Sequence, residues 1–193
     1  MNAKTQPHVC HASRAGALDT GLRKLIHNPE KILSPYIRPG MRVLEPGCGP
    51  GFFTMEIARL AGKDGGVIAA DLQSEMLEHV SQKALLCDKP CKVRLHKCGS
   101  DKIGLPENER IDFAFIFYML HEVPDQRNFI NEISRHLENK GELMIVEPRF
   151  HVTRENFRAS VDTVKSCGFE ITEHPQVLFS RAVIARKLSD PTR

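Results

Sequence analysis

The segment VLEPGCGPGFF, residues 43–53, carries the sharpest chemical signal in this 193-residue sequence. Glycine recurs at every second position, as Gly47, Gly49 and Gly51. Without a Cβ the backbone can turn sharply, and a ligand can approach the main chain closely. A strand before this run and a helix after it place the loop at the carboxyl end of a first strand, the crevice where open α/β sheets hold ligands. Asp71 follows Gly51 by twenty residues, at the expected end of a second strand. A carboxylate there can accept hydrogen bonds from two ribose hydroxyls. The dinucleotide fingerprint wants glycine or alanine where Phe52 stands, and the Gly-Lys-Ser/Thr ending of a phosphate loop is absent. The loop therefore predicts a nucleoside-like ligand that need not present a pyrophosphate.

The thiols point to less. The six cysteines are Cys10, Cys48, Cys87, Cys91, Cys98 and Cys167. Cys87, Cys91, His96 and Cys98 are residue types that bind zinc, and His8, Cys10 and His11 form a second cluster. The tight C-x2-C spacing is missing, and Cys87 and Cys98 fall on the ends of different elements, so no metal is expected. Cys48 reads as a small residue that fits a tight loop. The amino terminus lacks the apolar stretch of a signal peptide, which predicts free thiols in the cytoplasm. No apolar run is long enough to span a membrane. With 27 Lys and Arg against 24 Asp and Glu, the net charge of +3 is scattered and gives no reason to expect nucleic acid.

The elements that position these residues follow from pattern. Asn28-Pro29-Glu30 reads as a helix start, continuing through PEKILSPYI to the turn at Arg38-Pro39-Gly40. Strands are expected at 41–45, 67–70, 93–95, 111–118, 143–146, 169–172 and 177–186. Helices with one apolar stripe fall between them: Phe53, Ile57, Leu60 and Ala61 on one, and Met76, Leu77, Val80 and Ala84 on another, capped by Ser74. Asp125 caps a third, with Phe129, Ile130, Ile133 and Leu137 inward and Gly141 as its breaker. Thr153 caps a fourth, bearing Phe157, Val161 and Val164 and closed by Gly168. Alternating strands and helices predict an α/β fold, a doubly wound, seven-stranded and mostly parallel sheet with helices on both faces. Only a short loop containing Pro175 joins the last two strands, so an antiparallel strand is expected at the C-terminal end. Residues 28–193 are read as one Rossmann-like domain, and residues 1–27 as a helical lid or extension with Leu18, Leu22, Leu25 and Ile26 at helical spacing.

Glu45 to Gly51, with the pattern E-x-G-x-G-x-G, resembles motif I of the class I S-adenosylmethionine-dependent methyltransferases. Further segments match in order. VIAADLQSEML resembles the family's second-strand acidic motif, GSDKIGLP its adenine-side loop, and FIFYMLHEVPD its fourth strand and active-site loop. ENKGELMIVEP resembles the Gly-Gly-Leu turn and fifth strand, with Glu142 replacing the second glycine, and CGFEI the last passage from helix to strand. The resemblance covers residues 28–187.

It implies S-adenosylmethionine as methyl donor. Gly47, Cys48, Gly49 and Gly51 would line its methionine and ribose portions, with Glu45 holding the loop. Asp71 would bind the ribose hydroxyls, Leu72 would pack on the adenine, and Ser100 and Asp101 would sit beside it, although Asp101-Lys102 departs from the family's Asp-Ala pair. Tyr118, Met119 and His121 would border the transferable methyl. His121 is the candidate base, against the plainer role of bonding backbone in its loop; Tyr118 would orient the acceptor or pack on the donor. Glu147, Arg149 and His151 could recognise a polar acceptor. The expected acceptor is a small molecule, possible thiol ligands for a metalloid being Cys10, Cys98 and Cys167. The protein is expected to be a monomer or homodimer. The alternatives are a non-catalytic module that binds the donor or its product, and a nicotinamide oxidoreductase, which Phe52 disfavours.

Overall fold

The structure is a computed structural model that describes residues 26–87, 92–100 and 102–189. Helix α1 (Pro29–Leu33) starts where Asn28 accepts from the Lys31 amide, and it ends before Pro35, which has no amide to continue the ladder. It is therefore shorter than the sequence predicts. Alternation follows: β1 (Arg42–Pro46), α2 (Thr54–Ala61), β2 (Gly66–Asp71), α3 (Ser74–Leu85) and β3 (Val93–Lys97). Then come β4 (Ile111–Phe117), a 3-10 turn (Leu120–Glu122), α4 (Gln126–His136), β5 (Leu137–Pro148), α5 (Arg154–Ser166), β6 (Phe169–Glu173) and β7 (Ser180–Lys187).

The strands form one sheet in the order β3-β2-β1-β4-β5-β7-β6. β1 pairs in parallel with both β2 and β4, and β4 with β5. β7 is antiparallel to β5 on one side and to β6 on the other. The antiparallel strand expected at the carboxyl end is present, but it lies inside the sheet and leaves β6 on the edge.

Each sheet face buries its own apolar layer. Ala114 and Ile116 of β4 and Leu143 and Ile145 of β5 pack with Phe129, Ile130 and Ile133 of α4 and Phe157, Val161 and Val164 of α5. Phe113, Phe115 and Phe117 of β4 face the other way, with Leu33 of α1 and Ile57, Ala58 and Ala61 of α2. Strand β4 is buried on both faces, as its uninterrupted apolar run requires. The caps expected at Asp125 and Thr153 are made, to the amides of Asn128 and Asn156. Three local expectations change. Ser74 is the first residue of α3 rather than its cap, because the chain is already held at Gln73 by Asp71. Helix α4 stops at His136, so Leu137 opens β5 and Gly141 lies within that strand. A Cβ at Gly141 would meet Leu137 Cδ2 at 2.8 Å and the Glu138 carbonyl at 2.9 Å, so this glycine serves close packing and not helix termination.

Ile130 is fully buried between α4 and the sheet. Ile130→Ala should lower the unfolding free energy by about 2–5 kcal/mol. Urea titration should show an earlier midpoint with an unchanged slope.

Candidate active site

The glycine loop is held open by its neighbours. Gly47 and Gly49 have φ of 68° and 54°, a left-handed backbone that side chains resist. A Cβ at Gly47 would meet Met119 Cγ at 2.8 Å, whereas one at Gly49 would meet nothing within 4 Å and would enter open space. The Gly49 amide donates to Asp71 Oδ2 at 2.9 Å, and the Gln73 amide to Oδ1 at 2.8 Å. One carboxylate thus ties the loop after β1 to the loop after β2. Below it, Thr54 Oγ1 donates to Glu45 Oε2 at 2.6 Å, with both residues buried. Lys83 Nζ reaches from α3 to the Pro50 carbonyl at 2.7 Å.

The glycine loop and the end of β2 wall a cavity of about 1220 Å³, counting the space open at its mouth. Glu45, Gly47, Cys48, Gly49, Asp71, Leu72, Ser100, Tyr118 and Met119 all line it. Gly51 does not. A Cβ there would meet Val80 Cγ2 at 3.0 Å, so Gly51 lets the loop pack on α3. Asp101 lies outside the described residues. Phe52, Phe53, Gln73, Met76, Cys98, Phe117 and Phe129 complete much of the wall. Phe52, bulky for a dinucleotide loop, turns inward edge-on to Phe53.

The cavity's chemistry fits the donor that the resemblance implies. Each Asp71 oxygen accepts one amide and keeps capacity for a further donor, which suits a vicinal diol. Burial raises the Asp71 pKa above the usual carboxylate range, while the backbone hydrogen bonds from Gln73 and Gly49 oppose that rise. Cys48 is buried, and desolvation with the nearby Glu45 and Asp71 carboxylates pushes its thiol far up. Cys98 is pushed up to about 11, again chiefly by burial. Neither thiol is a ready nucleophile, in keeping with a packing role for Cys48.

On the far side of the cavity, Tyr118 has φ of 59°. This left-handed residue sets its ring beside Phe117, stacked at 4.1 Å, rather than on the opposite face of the sheet. The Tyr118 hydroxyl bonds Ser180 Oγ at 2.6 Å and His27 Nε2 at 3.1 Å, so it anchors the start of β7 and residue 27 while the ring lines the cavity. His121 does not line the cavity, although its neighbours Met119 and Glu122 do. Its Nδ1 meets Glu147 Oε2 at 2.5 Å, and its backbone amide donates to Glu147 Oε1 at 3.1 Å. The Glu147 bond raises the His121 pKa from 6.5, against desolvation. Glu147, Arg149 and His151 are not one recognition set: Glu147 is buried on His121, Arg149 Nε donates to the Ser180 carbonyl at 2.8 Å, and His151 is exposed.

Among the described residues, no group of three or more His, Cys, Asp or Glu side chains could hold a metal ion. His96 bonds the Ile103 carbonyl at 2.7 Å, and Cys87 is exposed beyond α3. Cys91, the cluster at His8, Cys10 and His11, and residues 1–25 of the expected lid lie outside the described residues. No described helix is long and apolar enough to cross a membrane. Sequence reasoning missed Thr54, Lys83 and Glu132. Glu132 is buried on α4 and accepts from the Ile103 and Gly104 amides at 2.9 and 2.6 Å, which fixes the loop beyond Ser100.

Comparison with known proteins agrees with this geometry. A family model described as a methyltransferase domain matches residues 37–179. The ubiquinone/menaquinone biosynthesis C-methyltransferase of Vibrio cholerae is 29% identical over 110 residues, 57% of this chain and 42% of that protein. The enzyme of the same name from Shewanella sediminis is 32% identical over 123 residues, 61% of this chain and 48% of that protein. The chain thus spans less than half the length of these curated relatives. A crystal structure of a SAM-dependent methyltransferase from Aquifex aeolicus superposes with a TM-score of 0.82 at 25% identity, covering 93% of this chain and all of that one.

Two outcomes follow from the geometry. Gly49→Val should fold, since its side chain meets only open space, yet lose donor binding in calorimetry, because it fills that space and strains the loop. The His121–Glu147 pair should also make stability depend on pH. A raised histidine pKa means its contribution is complete below the unfolded value near 6.5 and is lost as pH rises through the folded value. Chemical unfolding across that window should show the decline in the wild type and a shallower one in Glu147→Gln.

Proposed function

This chain belongs to the class I S-adenosylmethionine-dependent methyltransferases, and on that footing we propose that it methylates a small organic molecule at carbon by in-line displacement. The observation that carries the reading is the Asp71 carboxylate, which ties the glycine loop to the β2 end inside one cavity. S-adenosylmethionine, when bound, supplies a methyl already activated on a sulfonium, so the protein's work is alignment and exclusion of water. Asp71 would take the ribose hydroxyls, with Leu72 and Ser100 toward the adenine. Gly47, Cys48 and Gly49 would let the donor lie against the backbone. Glu45, fixed by Thr54, would keep the loop in shape and offer a carboxylate near the donor's amino group. The Phe117 and Tyr118 rings and Met119 would close the methyl end against water.

Carbon as the target atom is supported by the names of the curated relatives, which are C-methyltransferases. A small acceptor is in keeping with the names of those relatives, enzymes of ubiquinone and menaquinone biosynthesis. Calorimetry tests the donor assignment. S-adenosylmethionine and its demethylated product should bind and NAD should not. Asp71→Ala should weaken product binding about ten- to a hundred-fold, the loss of hydrogen bonds to a charged group. Binding without turnover on any acceptor would favour the non-catalytic alternative.

A further inference from the structure

We propose that the loops after β5 and before β7 form a docking surface for an anionic lipid bilayer, with Phe150 and Phe179 entering its headgroup region and Arg149, Arg154 and Arg181 meeting its phosphates. The proposal goes beyond the methyltransferase reading and does not depend on which atom is methylated. Phe150 is 80% exposed, Leu178 55% and Phe179 47%. Single exposed apolar side chains are ordinary, but a group of them marks a contact surface. Here the two rings lie 5.9 Å apart, and the Arg149 amide donates to the Phe179 carbonyl at 3.0 Å, which ties the two loops together. Phe179 has φ of 57°, a backbone that a bulky residue adopts only where its surroundings hold it. Two bonds of 3.0 Å do so, from the Ser180 amide to the Val177 carbonyl and from His27 Nε2 to the Leu178 carbonyl.

The charge beside these rings is of one sign. Arg149, Arg154, Arg181 and His174 line a groove of about 740 Å³, counting its open side, and no aspartate or glutamate lines it. Arg149 Nε donates to the Ser180 carbonyl and Arg181 to the Val152 carbonyl, each at 2.8 Å. One N–H fixes each guanidinium, and others are left to meet a phosphate. Glu155, at the start of α5, is the carboxylate in the field of Arg154 and Arg181, and its own amide and Thr153 hold it there. Fixed guanidiniums beside protruding rings match the layers of a bilayer surface, where anionic headgroups attract arginine and aromatic rings favour the boundary beneath them. Leu178 decides against a nucleic acid. An aliphatic side chain adds nothing to base stacking, whereas the acyl boundary accepts it as it accepts a ring.

The sheet places this surface at the working end of the molecule. β1, β2, β4 and β5 run parallel, so the loops that follow them share one end of the sheet, and β7, antiparallel to β5, begins at that end. Ser180, the first residue of β7, bonds the Tyr118 hydroxyl at 2.6 Å, and Tyr118 lines the donor cavity. The surface therefore stands beside the cavity, and docking would turn the cavity's end of the molecule toward lipid. The attraction is electrostatic at range and apolar at contact. Added salt should weaken the first part, since it shortens the screening length from about 8 Å at physiological ionic strength.

The test uses the full chain with vesicles of phosphatidylcholine alone and of phosphatidylcholine mixed with phosphatidylglycerol. Sedimentation should show binding to the mixed vesicles about tenfold stronger or more, weakening as salt is added. Arg154→Gln should reduce that binding about fivefold and Phe150→Ser about tenfold. Phe179→Gly should reduce it likewise without lowering the unfolding midpoint, because glycine suits the left-handed backbone. The chain has no tryptophan, so Phe150→Trp supplies a single reporter whose emission should shift to the blue on the mixed vesicles. Leu85→Trp, at an equally exposed position on α3, should show no shift. Equal binding to both vesicles, binding to neither, variants that bind as the wild type does, or a matching shift in Leu85→Trp would overturn the proposal. Inorganic phosphate that shifts the Phe150→Trp emission without vesicles would make the groove a free-anion site. A single-stranded oligonucleotide that binds the wild type and not Phe150→Ser would make the rings a stacking platform. Either, in place of vesicle binding, would overturn the lipid assignment.

Discussion

The site depends on one carboxylate with two backbone donors. Asp71 stands at the carboxyl end of β2, buried, and its two oxygens hold the Gly49 and Gln73 amides at 2.9 and 2.8 Å. Both amides sit in segments with no ladder of their own, so without this acceptor two part-buried donors would lose this partner. Burial raises the Asp71 pKa, which means that keeping it ionised is itself costly. The loop geometry and the expected ribose contact therefore draw on the same group. A change at Asp71 would disturb the loop that shapes the cavity as well as the proposed ribose contact.

A second division runs through the site at the end of β4. Up to Phe117 the strand alternates, one side chain to each layer, and at Tyr118 the left-handed backbone breaks that rule. Two aromatic rings then lie side by side in the cavity wall, and the chain turns into the short segment that carries Met119 and His121. The Tyr118 hydroxyl bonds Ser180 and His27, so the wall of the cavity is braced from β7 and from residue 27 together. The loop side of the cavity is held by Asp71 and Glu45, the β4 end by Tyr118, and Glu147 holds the turn that carries His121.

What the sequence made legible was whatever local chemistry demands. Glycine at every second position is costly anywhere except in a loop that needs left-handed angles, so 47, 49 and 51 announced themselves, as did an aspartate at a strand end. Asp125 and Thr153 were legible as caps for the same reason. Thr54, Lys83 and Glu132 were not, because a polar residue on a helix reads as solvated until its long-range partner is known. Glu147 looked like one of three exposed polar groups after a strand, but residue 121 converts it into a buried partner. Ser74 has the right type for a cap, yet Asp71 had already fixed the preceding residue. The place of β7 was illegible on similar grounds. A short connection dictates an antiparallel pair but says nothing about which member of the pair meets β5.

That placement has a consequence for how the chain is made. The strand that seals β5, residues 180–187, is the last described element, and β6 pairs within the sheet only with it. While a ribosome is still extending the chain, β1 to β5 can assemble with their helices, but β5 presents an open edge of unpaired amides and carbonyls. The growing domain is a template for wrong pairing through that interval, because such edges recruit any extended segment nearby. Its folding is completed by a hairpin that arrives late and inserts its second strand inward, so the order of synthesis leaves the far edge of the sheet as the last part to close.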